Sequence, residues 1–225
     1  MLLIVIVLRL IVYDCYCVNL LSVQNHIGND MEFSAKLRGN NKVTKILSNN
    51  GYDNKIQTII HVPTGEVKVG RSGSILKSNA IASCVVIAAY DSKQKVGGLA
   101  HVMVPGNSPE GRTSQTTRYA TDAIEELVKR MTQLGVNIDD VEACLVGGGN
   151  VLKRKDDTIC QDNISSVTNI LNEKGIKIRA QAVGGTERRS ISLDIEKECV
   201  QYTEGDSKRK ILWSANERQR EIVEG

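Results

Sequence analysis

Aromatic side chains make up only 4% of this 225-residue chain, with one Phe and one Trp, and histidine occurs three times. Any core must therefore be filled mainly by β-branched residues, Leu and Ala. At 41% hydrophobic content there is enough for one sizeable core, so one domain plus extensions is expected. Excess charge is missing too. Lys plus Arg number 29 against 26 Asp plus Glu, a net +3, and no basic face with interleaved aromatics is visible, so nothing argues for nucleic acid as a partner. The six cysteines, at 15, 17, 84, 144, 160 and 199, lack metal-ligand spacing, and three lie in apolar strand-like runs. They read as thiols of a reduced, intracellular protein. Only one cysteine and one histidine converge in sequence, which makes a Cys/His metal site a weak reading. No metal or organic cofactor is expected.

An uninterrupted apolar run of spanning length is also lacking. Met1 to Tyr13 is almost wholly apolar but is broken by Arg9 and followed by Asp14, short of the ~20 residues a spanning helix needs. It has neither the basic start nor the small-residue cleavage site of a secretory signal. Residues 1–30 are read either as an anchor, with Arg9 snorkelling, or as a start assigned too far upstream; a cleaved signal ranks behind both. Residues 31–54 are polar, with Asn49, Asn50, Gly51 and Asn54 clustered, and read as a lead-in.

What is present is a stretch dense in chemistry, Lys77 to Pro105. Two apolar runs, Cys84 to Ala89 and Val96 to Val104, flank a polar segment, the pattern of two strands and a hairpin. A turn centred on Ser92 and Lys93, or a four-residue loop over Asp91 to Gln94, would set Cys84 directly opposite His101. Direct cross-strand neighbours have Cβ atoms roughly 4.5–5.5 Å apart, within reach for a thiol and an imidazole. A thiolate attacks carbonyl carbon, and an adjacent imidazole can take the thiol proton. Taken alone, Cys84 fits a small core residue equally well, and His101 a core histidine bonded to a backbone carbonyl.

The rest of the chain alternates less regularly. Ile56 to Val62 and Glu66 to Gly70 read as strands around a Pro63-Thr64-Gly65 turn. The polar loop Gly106 to Thr117 follows the histidine strand and is expected to wall the substrate site. Ala120, Ala123, Ile124, Leu127, Val128, Met131 and Leu134 mark an amphipathic helix, with Thr116 or Thr117 as N-cap and Gly135 as its stop. Val141 to Val146 is a buried strand leading into Gly147-Gly148-Gly149. No Gly-Lys-Ser/Thr follows those glycines, so close backbone approach explains them better than a phosphate loop. A second helix runs through Ile164, Val167, Ile170 and Leu171, capped by Asp162 or Asn163 and ended by Gly175. Ile176 to Val183, Arg189 to Ile195 and Cys199 to Tyr202 are further strands. The charged residues after them, with Trp213 isolated, read as a solvated tail or marginal helix. This order implies an α+β fold, with a mixed or antiparallel sheet core and two main helices packed on it.

Asn79-Ala80-Ile81-Ala82-Ser83-Cys84, the run ending in Tyr90-Asp91, and Gly97-Gly98-Leu99-Ala100-His101-Val102-Met103-Val104-Pro105 together resemble the chemoreceptor glutamine deamidase family, CheD. That family's pattern is Gly-Leu-Gly-Ser-Cys, a strand ending in Tyr-Asp, then Gly-Gly-x-x-His-x-Met-x-Pro. The resemblance continues through Arg118 to Ala123, Val146 to Asn150, Gly184-Gly185-Thr186 and Arg189-Ser190, and covers about Ile56 to Tyr202. Ordered motifs over that length are more specific than any single one. Ala80 and Ala82 replace family glycines, so a positive φ at either would be strained. Ile159-Cys160-Gln161-Asp162-Asn163 stands where the family has Ile-Gly-x-Arg-Asn.

The resemblance implies a catalytic set of Cys84, His101 and Ser78, the last in the position of a family Thr and orienting the imidazole. Backbone N–H groups near Ser83 and Cys84 would be the oxyanion donors. It implies a cytoplasmic enzyme acting on methyl-accepting chemotaxis receptors and partnered by a CheC-type phosphatase. Membrane contact would come only through the receptor, unless residues 1–21 are an anchor. The deamidase domain would cover residues 55–203, ahead of a charged tail at 204–225, with a fold similar to that of cysteine hydrolases and deamidating toxins. The alternative is a catalytically weak module that docks to the phosphatase or to receptors.

Overall fold

The computed structural model describes residues 19–25, 30–36, 42–48, 56–156 and 158–215. The anchor reading of Met1 to Tyr13 lies outside these residues. Among the described residues no helix is long and apolar enough to cross a membrane. The chain divides into two compact units, Met1–His61 and Val62–Gly225. In the first, β1 (Asn19–Asn25), β2 (Asp30–Lys36), β3 (Lys42–Ser48) and β4 (Ile56–His61) pair in sequence order as an antiparallel meander. Strands β2 and β3 thus occupy part of the segment read as a polar lead-in.

The second unit is built on β5 (Val67–Arg71), β6 (Ser74–Ile81), β7 (Val85–Asp91), β8 (Val96–Val102), β9 (Glu142–Gly147), β10 (Lys177–Val183), β11 (Arg189–Asp194), β12 (Cys199–Glu204) and β13 (Lys210–Ser214). A five-stranded mixed sheet runs β10-β9-β7-β8-β5, with only β10 and β9 parallel. Strands β6, β11, β12 and β13 pair antiparallel in that order in the other sheet. Two helices, α1 (Ala120–Gln133) and α2 (Ile159–Glu173), complete an α+β architecture.

Every residue of β7 and β8 is buried, which is why these strands read as continuous apolar runs rather than alternating ones. One face, carrying Val85, Ile87, Ala89, Ala100 and Val102, packs with Ala123, Ile124, Leu127 and Met131 of α1 and Val167 and Leu171 of α2. Burying each such large aliphatic contributes about 1.5–3 kcal/mol. The other face meets the second sheet. Adjacent glycines let both layers come close: a Cβ on Gly98 would lie 2.5 Å from Leu127 Cδ1, and one on Gly97 2.8 Å from Leu193 Cδ2 of β11.

Several expectations need correction. Strand β6 is not among the expected strands, because its buried positions alternate Leu76 with the polar Ser78 and a bulge then breaks the period. The N-cap of α1 is Tyr119, behind a 3-10 turn at Thr116–Arg118; Thr117 Oγ1 instead donates to the Gly65 carbonyl. Helix α2 begins with Thr158 as N-cap, so neither Asp162 nor Asn163 caps it. Trp213 is not isolated in a tail. It lies in β13, its ring 4.7 Å from that of Tyr90 at 52°.

Candidate active site

Cys84 ends the short segment Ala82-Ser83-Cys84 that carries the chain from β6 to β7. Three consecutive carbonyls in it are held. Gly149 N–H donates to Ala82 O at 2.7 Å, Asn163 Nδ2 to Ser83 O at 2.9 Å, and Gly148 N–H to Cys84 O at 2.7 Å. The expected close backbone approach of the glycine run is present. Gly147 has φ +127, and a Cβ there would stand 2.2 Å from the Cys84 carbonyl oxygen. Behind the glycines, buried Arg189 donates to the Gly184 carbonyl at 2.6 Å and pairs with Glu204 at 2.6 Å. Gly184 N–H in turn bonds the Gly147 carbonyl.

His101 sits on β8, fully buried, on the face that meets the second sheet. Its Nδ1 is 2.8 Å from Ser78 Oγ on β6, and Ser78 Oγ donates to the Val62 carbonyl oxygen at 2.7 Å. A carbonyl can only accept, so the single hydroxyl proton is committed to Val62 and Ser78 must accept from His101. That assigns the proton to Nδ1 and leaves Nε2 with its lone pair. Nε2 is buried and has no hydrogen-bond partner among the described residues.

The register differs from the expected one. Val86, not Cys84, is opposite His101, and Asp91 is opposite Val96, so the loop is Ser92 to Lys95. The cause is local: Asp91 Oδ1 accepts from the N–H of Lys93 (2.8 Å) and Gln94 (3.4 Å), and Lys95 takes φ +50. Cys84 therefore lies just beyond the end of β7, two residues from the position opposite His101. Thiol and imidazole are not hydrogen-bonded here.

Electrostatics fit a neutral resting pair. Burial pulls the His101 pKa from 6.5 down to about 4. Burial raises the Cys84 pKa, the residue's own N–H pulls it back, and Cys160 adds a smaller upward push. A thiolate standing ready well below pH 8 is therefore not favoured. Among the described residues no group of three or more His, Cys, Asp or Glu is arranged to hold a metal.

Sequence reasoning named Ser78, Ser83, Cys84 and His101 but missed the Val62 carbonyl and Asn163. The first is a backbone group with no signature. Asn163 was read as a helix cap, and its only other signal was its place in the Ile159-to-Asn163 motif.

Comparison with known proteins adds an independent line. A family model described as CheD chemotactic sensory transduction matches residues 103–204, beginning just after His101. A probable chemoreceptor glutamine deamidase CheD of Chlorobium luteolum is 36% identical over 150 residues, 67% of this chain and 75% of that protein. The chemoreceptor glutamine deamidase CheD of Thermotoga maritima is 32% identical over 132 residues, 59% of this chain and 83% of its own length. A probable counterpart from Methanococcus vannielii is 30% identical over 155 residues, 68% and 99% respectively.

Proposed function

Because this chain belongs to the CheD family, we propose that it is a protein-glutamine deamidase that converts glutamines of methyl-accepting chemotaxis receptors to glutamate. The observation that carries the mechanism is the Val62–Ser78–His101 chain of hydrogen bonds, which leaves a buried Nε2 lone pair able to act as a base. Cys84 is the nucleophile, His101 the base, and Ser78 holds the imidazole tautomer, the part a carboxylate plays in other triads.

As Cys84 Sγ bonds to the substrate carboxamide carbon, the thiol proton passes to His101 Nε2 and the carbonyl becomes an oxyanion. Backbone N–H groups at Ser83 and Cys84 face that charge, a contribution of roughly 3 kcal/mol per donor in other enzymes. Collapse breaks the C–N bond, and ammonia leaves with the proton from Nε2. Water then gives a proton to Nε2 and attacks the thioester, releasing glutamate and the free thiol.

The domain that does this spans residues 55–203 together with β13, which pairs with β12, in a fold of the kind found in cysteine hydrolases and deamidating toxins. It works in the cytoplasm, where the receptor helices carry their glutamines, with a CheC-type phosphatase as regulatory partner. The Gly106 to Thr117 loop, tied to α2 through Gly106 N–H and Ser166 Oγ at 2.9 Å, forms one wall of the substrate site.

A docking module without strong activity is the second reading, favoured by the raised Cys84 pKa and by the missing hydrogen bond between thiol and imidazole. Mass spectrometry of a receptor cytoplasmic domain, incubated with the protein or with its Cys84→Ala variant, separates the two. A gain of about one dalton at a glutamine, seen only with the intact cysteine, is expected. Binding without any gain would overturn the deamidase reading.

A further inference from the structure

Asn163 is fully buried in α2, and its side chain reaches two separate segments. Nδ2 donates to Ser83 O at 2.9 Å and to Met103 O at 3.1 Å, so one amide joins the loop before Cys84 to the chain just after His101. Both partners are carbonyls, which only accept, so the amide orientation is set by chemistry. Its Oδ1 is buried without a partner among the described residues. A buried polar atom left unsatisfied is costly, and a residue kept only to fill the core would avoid it.

The bridge has a directional consequence. The Ser83–Cys84 peptide is trans, so its carbonyl and N–H point in opposite directions. Drawing Ser83 O onto Asn163 turns the Cys84 N–H to the other side. The flanking carbonyls of Ala82 and Cys84 are held by Gly149 and Gly148, so the segment has little freedom to rotate back. The Cys84 N–H lies near its own sulfur, where the oxygen of any acyl adduct on Sγ would develop its charge.

Building on the deamidase reading above, we propose that Asn163 is a positioning residue for the oxyanion. It aims the Cys84 N–H at the developing charge and ties that donor to the segment bearing His101, so donor and base keep one spacing.

Two reactions of the same sulfur test this. Acylation by 4-nitrophenyl acetate forms an Sγ–C bond through a tetrahedral oxyanion and expels 4-nitrophenolate. Alkylation by iodoacetamide forms an Sγ–CH2 bond as iodide leaves, with no oxyanion. Asn163→Leu keeps the shape and removes both donors, while Asn163→Gln keeps the amide, and Cys84→Ala supplies the blank. In Asn163→Leu, acylation should be about 10- to 100-fold slower, less than the 100- to 1000-fold seen when a donor is removed outright. Alkylation at the same pH should slow far less, by no more than about threefold, because it forms no oxyanion and feels the Cys84 N–H only through the thiol pKa.

The Gln variant should recover part of the acylation rate. Equal slowing of both reactions, or no change in either, would overturn the proposal, as would wild-type acylation no faster than the blank. Should Asn163→Leu fail to fold by circular dichroism, Asn163→Gln carries the comparison, with a reduced acylation-to-alkylation ratio expected and an unchanged ratio refuting it. Receptor deamidation is followed in parallel. A wild type that acylates from the ester yet converts no receptor glutamine would sink the deamidase reading while leaving the Asn163 result legible.

Discussion

Ser78 and His101, 23 positions apart in the chain, meet as a buried pair with Oγ 2.8 Å from Nδ1. The contact exists because β6 and β8 belong to different sheets that pack face to face, and the Val62 carbonyl decides which partner donates.

Ser78→Ala removes the acceptor for the Nδ1 proton and leaves a buried donor unpaired, a loss of about 1–3 kcal/mol in stability. It also frees the ring to adopt the other tautomer. Turnover on a receptor domain should fall by about 10-fold or more while substrate affinity holds, and Ser78→Thr, which keeps the hydroxyl, should retain activity. Steady-state kinetics of the two variants check this; an unimpaired Ala variant would remove Ser78 from the mechanism.

His101 is neutral in the fold down to about pH 4, whereas its ordinary value is 6.5. Between those values the unfolded chain binds a proton that the folded chain does not. The stability from burying the neutral ring is therefore complete above pH 6.5 and is lost as pH falls toward 4. At about 1.36 kcal/mol per unit, the loss is about 3 kcal/mol. Urea titrations across that range should show it in the wild type and show a shallower fall in His101→Asn. The acid limb of kcat/KM should likewise sit nearer pH 4 than 6.5.

Ala80 adopts φ +56, at a bulge where Arg189 pairs with Ile81 but Ile191 pairs with Ser78. Left-handed backbone costs a residue with a Cβ about 1–2 kcal/mol, partly offset in glycine by its freer unfolded state. Ala80→Gly should therefore stabilise the protein by about 0.5–1 kcal/mol in a denaturant midpoint assay. Ala82 has no positive φ, and the same substitution there should bring no such gain.

Gly147→Ala is expected to be severe. The new Cβ would meet the Cys84 carbonyl oxygen at 2.2 Å, from a backbone at φ +127. Overpacking and backbone strain together amount to about 2–4 kcal/mol. The segment that must yield is the one holding Cys84. Thermal unfolding and the rate of Cys84 alkylation should both change, and a variant with native stability and rate would contradict the close approach.

The sequence by itself determined the α+β class, the long buried hairpin and helix α1 with its Gly135 stop, and it singled out Cys84, His101 and Ser78 as candidates. Hydrophobic periodicity and a dense run of motifs carry those features, because both are written in consecutive residues. What only the tertiary structure decided depends on groups that periodicity does not mark. Strand β6 was hidden because its buried position 78 is polar. The hairpin register turned on the Asp91 carboxylate capping two N–H groups, and Asn163 looked like a cap until its amide was seen bridging two carbonyls. The tautomer of His101, on which the proposed chemistry rests, came from one backbone oxygen at Val62, hydrogen-bonded to Ser78.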